Sequence, residues 1–479
     1  MLDLASPYGT VPCFDELYSE SGIPREHYRR LAATLASLPA DDVLTRVQSI
    51  NTTLLQRGVT FTVYSESAGT ERVFPFDVLP RILTASEWQR IEDGIAQRVR
   101  ALNAFLHDLY HGERILREGL VPRDLIYSSK NYCREMIGVD IEQDIYIHVS
   151  GIDLIRDTNG EFFVLEDNVR TPSGISYVLE NRDVLKRDFP ALFAGYAVRP
   201  VDDYPRRLLD VLRYVAPRAN PQPNVVVLTP GIYNSAYFEH AMLARRMGAE
   251  LVEGSDLIVV DNIVFVKTTR GLQRVDVIYR RIDDDYLDPL YFLPTSTLGS
   301  AGLMNAYRAG NVTIANAIGT GVVDDKAVYP YVPEMIRFYL SEEPILPNVP
   351  TFTCDDPVQR RHVLANLGSL VVKNTSASGG YGMLMGPYST SEERTEFAAR
   401  ITARPREFIA QPVVQISSAP TFVDGVVAPR RVDLRPFALY GRKIDVPPAA
   451  LTRVALREGS LVVNSSQGGG SKDTWVLQG

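Results

Sequence analysis

Apolar positions along this chain follow two periods, and the switches between them outline the elements. Trp88, Ile91, Ile95, Val99, Leu102, Leu106 and Leu109 recur at threes and fours, one stripe on a long helix. Thr84 and Glu87 frame its start as a capping box. The first hundred residues read as mainly helical. At Asp144–Gly174, DIYIHVSGIDLIRDTNGEFFVLEDNVRTPSG, the pattern changes. Two apolar runs flank Asp157-Thr158-Asn159-Gly160, the signature of a β-hairpin. With those four residues as the loop, Arg156 faces Glu161 and Asp153 faces Val164. Glu166 then lies one diagonal step from Asp153, and Asn168 follows on the same face. A helix over Ser176–Phe189 ends at Pro190.

Beyond a proline- and asparagine-rich boundary at Pro217–Asn224, the rhythm becomes strand, turn, helix, strand. Asn224–Leu228 is a short buried strand, Thr229-Pro230-Gly231 a turn, and Asn234–Met247 a helix stopped by Gly248. Strands follow at Leu257–Val260, Ile263–Val266 and Val275–Tyr279, so an α/β layer is expected here. Later elements are a helix from Ser300 to Gly310, a strand over Asn311–Ile314 and a helix from about Asp325 to Leu340. Leu370–Lys373 is a buried strand ending in a cation, followed by the small-residue segment Asn374–Gly382.

Composition narrows the function classes. A chain of 479 residues has room for two or three domains, and 45% hydrophobic with 23% charged residues is ordinary for a globular protein. The net charge of −8 argues against nucleic acid as the main partner. Cys13, Cys133 and Cys354 are sparse and lack zinc spacing, which suits a reducing compartment. No basic-then-apolar leader opens the chain, and no apolar run nears the roughly 20 residues of a membrane span. A cytoplasmic location with no membrane partner is the expectation. His107 and His111 sit one helical turn apart without an evident third ligand.

The candidate chemistry is anionic-ligand chemistry. Asp153, Glu166 and Asn168 offer oxygen only, which suits a hard cation such as Mg²⁺ held together with phosphate. Arg280 and Arg281 follow a strand, placed either to grip a substrate carboxylate or to pair with Asp283-Asp284-Asp285. Ser378, Gly379 and Gly380 form a loop able to cup phosphate, although the Walker pattern is absent. The strand Glu407–Val414 is apolar with one amide, Gln411, fit to sandwich an adenine ring. Arg431, Asp433 and Arg435 share a strand face. Lys326, Lys373, Arg435, Arg453 and Lys472 together make a field for a triphosphate.

In this order Asp325-Lys326, Val372-Lys373, Ser376–Gly382, Ile409–Val414, Asp433-x-Arg435 and Arg453 resemble the ATP-grasp enzymes. The metal hairpin that closes that family's order stands near the start instead, as Asp153, Glu166 and Asn168. The chain is therefore similar to a circularly permuted ATP-grasp protein, of the group related to the synthetase half of glutathionylspermidine synthase. With the mainly helical region over 1–143 outside it, the resemblance implies an α/β (α+β) ATP-grasp fold with a metal hairpin and helix over 144–200. It further implies a Rossmann-like pre-ATP-grasp layer over 201–322 and nucleotide-binding subdomains over 323–479. It implies ATP and Mg²⁺ as cofactors and an ADP-forming ligase that joins a small or peptide carboxylate to an amine through an acyl-phosphate. Asp153, Glu166 and Asn168 would hold the metal. Lys326, Lys373, Ser378, Gly379, Gly380 and Lys472 would hold phosphates, and Gln411, Val413 and Val414 the adenine. Arg435 would join them on the phosphates, Arg453 would stabilise the transferred phosphoryl or the tetrahedral oxyanion, and Arg170, Ser173 and Gly174 would sit where the acceptor carboxylate must be. Pro412 departs from a hinge that donates at every residue. A nucleotide-binding module without turnover, or a phosphotransferase without ligation, is the alternative.

Overall fold

The structure is a computed structural model and describes residues 12–19, 22–65, 68–217, 220–376, 382–423, 425–463 and 469–479. The strands that position the site are, in chain order, β1 (Phe76–Leu83), β2 (Val149–Arg156), β3 (Phe162–Asn168), β4 (Val225–Leu228), β5 (Glu250–Val252), β6 (Val277–Arg280), β7 (Thr313–Ala315), β8 (Leu370–Asn374), β9 (Leu384–Met385), β10 (Phe408–Pro412), β11 (Val426–Tyr440), β12 (Ala450–Val454) and β13 (Gly470–Val476). The main helices are α1 (Glu26–Ser37), α2 (Ala40–Gln56), α3 (Ala85–Tyr110), α4 (Ile175–Asp188), α5 (Tyr204–Tyr214), α6 (Tyr237–Met247), α7 (Val332–Leu340), α8 (Pro357–Ala365) and α9 (Ser391–Ala403).

The largest sheet runs β1-β13-β12-β11-β2-β3, antiparallel except where β1 lies parallel to β13. It brings the two ends of the chain together: Leu434 of β11 pairs with Leu154 of β2, and Phe437 with Gly151. A second sheet, β7-β6-β4-β5, is parallel throughout. Its strands are continuous apolar runs such as Val225–Leu228, as expected of a sheet covered on both faces. A third, small antiparallel sheet contains β10, β8 and β9.

The capping box at Thr84 and Glu87 is present, and the predicted stripe on α3 is buried, each residue at most 1% exposed. Three sequence expectations change. The stretch read as helical also holds the hairpin Thr60–Ser65/Ala68–Val73 and β1, which joins the main sheet. Asp325 and Lys326 do not open a helix. Pro330 and Pro333 disfavour helical geometry before them, and the α-helix starts only at Val332. The hairpin register also shifts. The Asp157 carboxylate folds back to accept the amides of Asn159 and Glu161, both at 2.9 Å, so the loop takes five residues and Arg156 faces Phe162. An irregularity after Val164 then sets Asp153 directly opposite Glu166 and Gly151 opposite Asn168.

Candidate active site

A cavity of about 590 Å³ opens where the three sheets meet. Its walls are the β2/β3 hairpin (Asp153, Glu166, Asn168), the β11 and β12 face (Asp433, Arg435, Arg453) and the small sheet (Val371, Lys373, Gln411). Loops after β4 and β6 close the far side with Asn234, Ser235, Ala236, Arg281 and Asp283. Alternation along β3 explains the division of labour there. Glu166 and Asn168 face the cavity, whereas Asp167 turns inward and is buried against Arg98 of α3 at 2.6 and 2.7 Å.

Inside the cavity, acids and cations neutralise one another. Arg435 grips Asp153 with two nitrogens, Nη2 at 2.8 Å, and Arg453 reaches the same carboxylate at 2.7 Å. Arg453 is also held by Asp433, with Nε 2.9 Å from Oδ1. Lys326 lies 2.6 Å from Glu166, and Lys373 donates to Gln411 Oε1 at 2.7 Å. Burial pushes the Asp153 carboxyl up, but Arg435 and Arg453 outweigh it and hold the pKa at about 2. Burial pulls the Lys373 ammonium down to about 8, with Glu166 only partly offsetting the loss of water. Asp324, tied to Arg170 at 3.4 Å and accepting the Val169 amide at 2.7 Å, is raised by burial to about 6.

Most residues singled out in the sequence line this one cavity: Asp153, Glu166, Asn168, Arg170, Ser173, Gly174, Arg281, Lys326, Lys373, Gln411, Val413, Val414, Arg435 and Arg453. Two do not. Lys472 is 1% exposed and turns away, donating to Asp77, Leu79 O and Pro420 O. Its cation serves the sheet interior because Asp77 of β1 needs a partner there. Arg280 is equally buried. Its guanidinium donates to the carbonyls of Asn316, Ile282 and Ala317 and pairs with Asp284 at 2.7 Å, so it braces the end of β6. Ser378, Gly379 and Gly380 lie outside the described residues. The Gln411 amide is engaged by Lys373 and by Thr351 at 2.9 Å; Val413 and Val414, beyond the end of β10, line the cavity beside it. His107 and His111 stack at 4.5 Å near Asp144 and Asp140.

Sequence reasoning missed Asp324, His240 and the Asn234–Ala236 loop. The loop was findable, since it follows a buried strand in a parallel sheet, where ligands gather. Asn316 was not. Its side chain accepts from the amides of His148 and Val149 and donates to Val149 O and Val169 O, fastening β7 to both strands of the hairpin.

The donor set fits a magnesium ion held jointly with phosphate. Asp153 and Glu166 are cross-strand neighbours and Asn168 adds an amide oxygen, while its buried Nδ2, a donor with no partner among the described residues, suits a phosphate oxygen rather than the cation. Among those residues no group of three or more His, Cys, Asp or Glu could hold a metal ion by itself.

Fold and site together define an α/β protein of the ATP-grasp type, with the acidic hairpin early in the chain and the cations late. Residues 80–455 match the family model described as circularly permuted ATP-grasp type 2, and the chain belongs to that family. It is 52% identical over 467 residues to an uncharacterized protein of Synechocystis sp., covering 97% of each chain. It is similar, at 44% identity over 464 residues, to a Frankia alni protein named as a candidate glutamate–cysteine ligase. The match takes 97% of this chain but only 54% of that protein, so the chain spans about half of that relative's length. Among solved structures, a glutathione synthetase-like effector from Globodera pallida in its apo form shares the fold, with a TM-score of 0.57 at 10% identity over 92% of this chain and 98% of that one.

Proposed function

We propose that this chain is an ATP- and Mg²⁺-dependent carboxylate–amine ligase that works through an acyl-phosphate. The observation that carries this is the convergence, within ion-pair distance, of hairpin carboxylates at 153 and 166 with cations at 326, 435 and 453. Family membership and the name of the Frankia relative support the reaction class.

Lys326, Lys373 and Arg435 hold the triphosphate, and the Val413–Val414 backbone meets the adenine edge. Asp153, Glu166 and Asn168 would hold a magnesium ion, which would supply charge neutralisation to the phosphates when bound. A carboxylate oxygen of the acceptor attacks the γ-phosphorus and ADP leaves. An amine then attacks the acyl carbon; phosphate departs, the amine loses a proton and an amide remains. Arg453, clamped between Asp153 and Asp433, keeps Arg435 and Asp153 in register, so it positions rather than touches substrate. The cavity is lined by Ile155, Leu165, Val371 and Met385, which exclude water from the acyl-phosphate. Among the described residues no helix is long and apolar enough to cross a membrane; a small acid and a small amine are the expected partners, and the sparse cysteines favour the cytoplasm.

Glu166→Ala tests the assignment. Turnover, followed as ADP release with hydroxylamine trapping acyl-phosphate as hydroxamate, should fall by about 100-fold or more. The fold should persist at a cost of about 1–3 kcal/mol, because the Glu166–Lys326 pair is mostly shielded from solvent. Wild-type turnover in that variant would remove Glu166 from the site.

A further inference from the structure

On the ligase reading above, we infer that the acceptor is a short molecule with two anionic groups: one carboxylate presented for phosphorylation near Arg435, and a second anchored at the far wall by Arg281 and the first turn of α6.

The far wall is the carboxyl edge of the parallel sheet. From β4 the chain passes through α6 to β5 on one side, while β6 pairs with β4 on the other. The crevice between β4 and β6 is therefore a switch point, the place where open α/β sheets hold ligands. The Asn234–Ala236 loop, which leads into the 11-residue α6, and Arg281, which follows β6, line the cavity there.

Arg281 is buried, with its side chain 2% exposed, yet not all of its donors are used. Nη1 donates to Pro172 O at 2.8 Å and Tyr279 Oη at 3.0 Å, and Nη2 to Glu239 Oε1 at 3.0 Å. Nε has no acceptor among the described residues. Such an unmet donor on a buried cation is costly unless something arrives to accept from it. Glu239 does not compete for that role. Its other oxygen already accepts from the Gly174 and Ser176 amides and the Ser176 hydroxyl, at 2.8, 3.0 and 3.0 Å. His240, beside it in the wall, is held neutral, since burial and then Arg281 push its pKa down to about 2. The helix start adds a positive dipole end to the spare N–H.

The spacing sets the size of the ligand. Arg435 Nη1 donates to Ser173 O at 3.3 Å, while Arg281 Nη1 donates to the adjacent Pro172 O. Neighbouring carbonyls hold the two guanidinium groups within roughly 10 Å of one another, a separation that the two carboxylates of a short diacid can span.

The test compares diacids (succinate, glutarate, L-glutamate) with chain-matched monoacids (butyrate, valerate) in two ways. One is hydroxamate formation with ATP, Mg²⁺ and hydroxylamine. The other is calorimetric titration of glutarate and valerate into protein loaded with a non-hydrolysable ATP analogue. Diacids should be preferred by about tenfold, the worth of one charge-assisted hydrogen bond. The preference should vanish in Arg281→Lys, which keeps the charge facing Glu239 but loses Nε, and in Ala236→Asp, which sets an anion at a helix N-cap that favours aspartate. ATP-analogue affinity should stay within about twofold of wild type in both variants, since neither residue meets the phosphates. Glutarate binding that depends on Arg281 without any hydroxamate would sink the ligase reading and leave the subsite standing. Hydroxamate from monoacids and diacids alike would do the reverse. No glutarate binding at all, or a diacid preference untouched by both substitutions, overturns the subsite.

Discussion

Lys373 carries the most readable titration in the cavity. Burial lowers its pKa from 10.5 to about 8, so folding disfavours its charged form. The sign follows from linkage: the charge works against stability below pH 8, and stability is regained as pH rises from about 8 toward the unfolded value. Nucleotide binding runs the other way, because phosphate favours the ammonium. ATP affinity should be flat below pH 8 and fall above it by up to about tenfold per unit. In Lys373→Met that limb should be gone, as read by calorimetry between pH 7 and 9.5. A wild-type profile flat through pH 9.5 would mean the ammonium does not meet phosphate. Lys373 was legible in the sequence because a cation ending a buried strand has few other uses. Lys472 looked the same and was not. Its partner Asp77 lies 395 positions away in sequence, on a parallel strand that no local pattern announces.

At the scale of elements, the hairpin was legible in kind and in face but not in register. Period-two alternation gave Glu166 and Asn168 one side and Asp167 the other. What shifted the pairing was a side chain, Asp157, capturing two amides and lengthening the loop. The β3 strand is held from behind by Asp167 against Arg98 of α3, each side chain 1% exposed. Arg98 also donates to Asn348 Oδ1 at 2.7 Å. Arg98→Met should cost about 3–5 kcal/mol in urea unfolding, since it strands a buried carboxylate. Replacing both members, as Arg98→Met with Asp167→Leu, should recover much of that loss. A single substitution costing under about 1 kcal/mol would show that Asp167 finds water or another donor. The predicted long helix before Leu340 failed for a simpler reason. Pro330 and Pro333 lack an amide hydrogen and disfavour helical geometry in the residue before each, so the α-helix starts only at Val332.

Across the whole molecule, the order of motifs along the chain was legible, whereas the path of the chain between them was not. Asp433 and Arg453 could be assigned to strands; that β11 would lie between β12 and β2, and so set late arginines against an early aspartate, followed from the family resemblance alone. The outcome is a site whose acids and cations pair with one another. Asp153 has two arginines and Glu166 has a lysine. Metal alone must displace those cations, and triphosphate alone must displace those carboxylates, so the two ligands are expected to enter together. The most direct measurement is a crystal structure of the protein with Mn²⁺ and a non-hydrolysable ATP analogue, with the metal located by its anomalous signal. The account predicts a manganese peak on Glu166 and Asn168 beside Asp153, coordinated by phosphate oxygens that Lys326, Lys373 and Arg435 also hold. Nucleotide density away from those cations, or manganese remote from the hairpin, would contradict it.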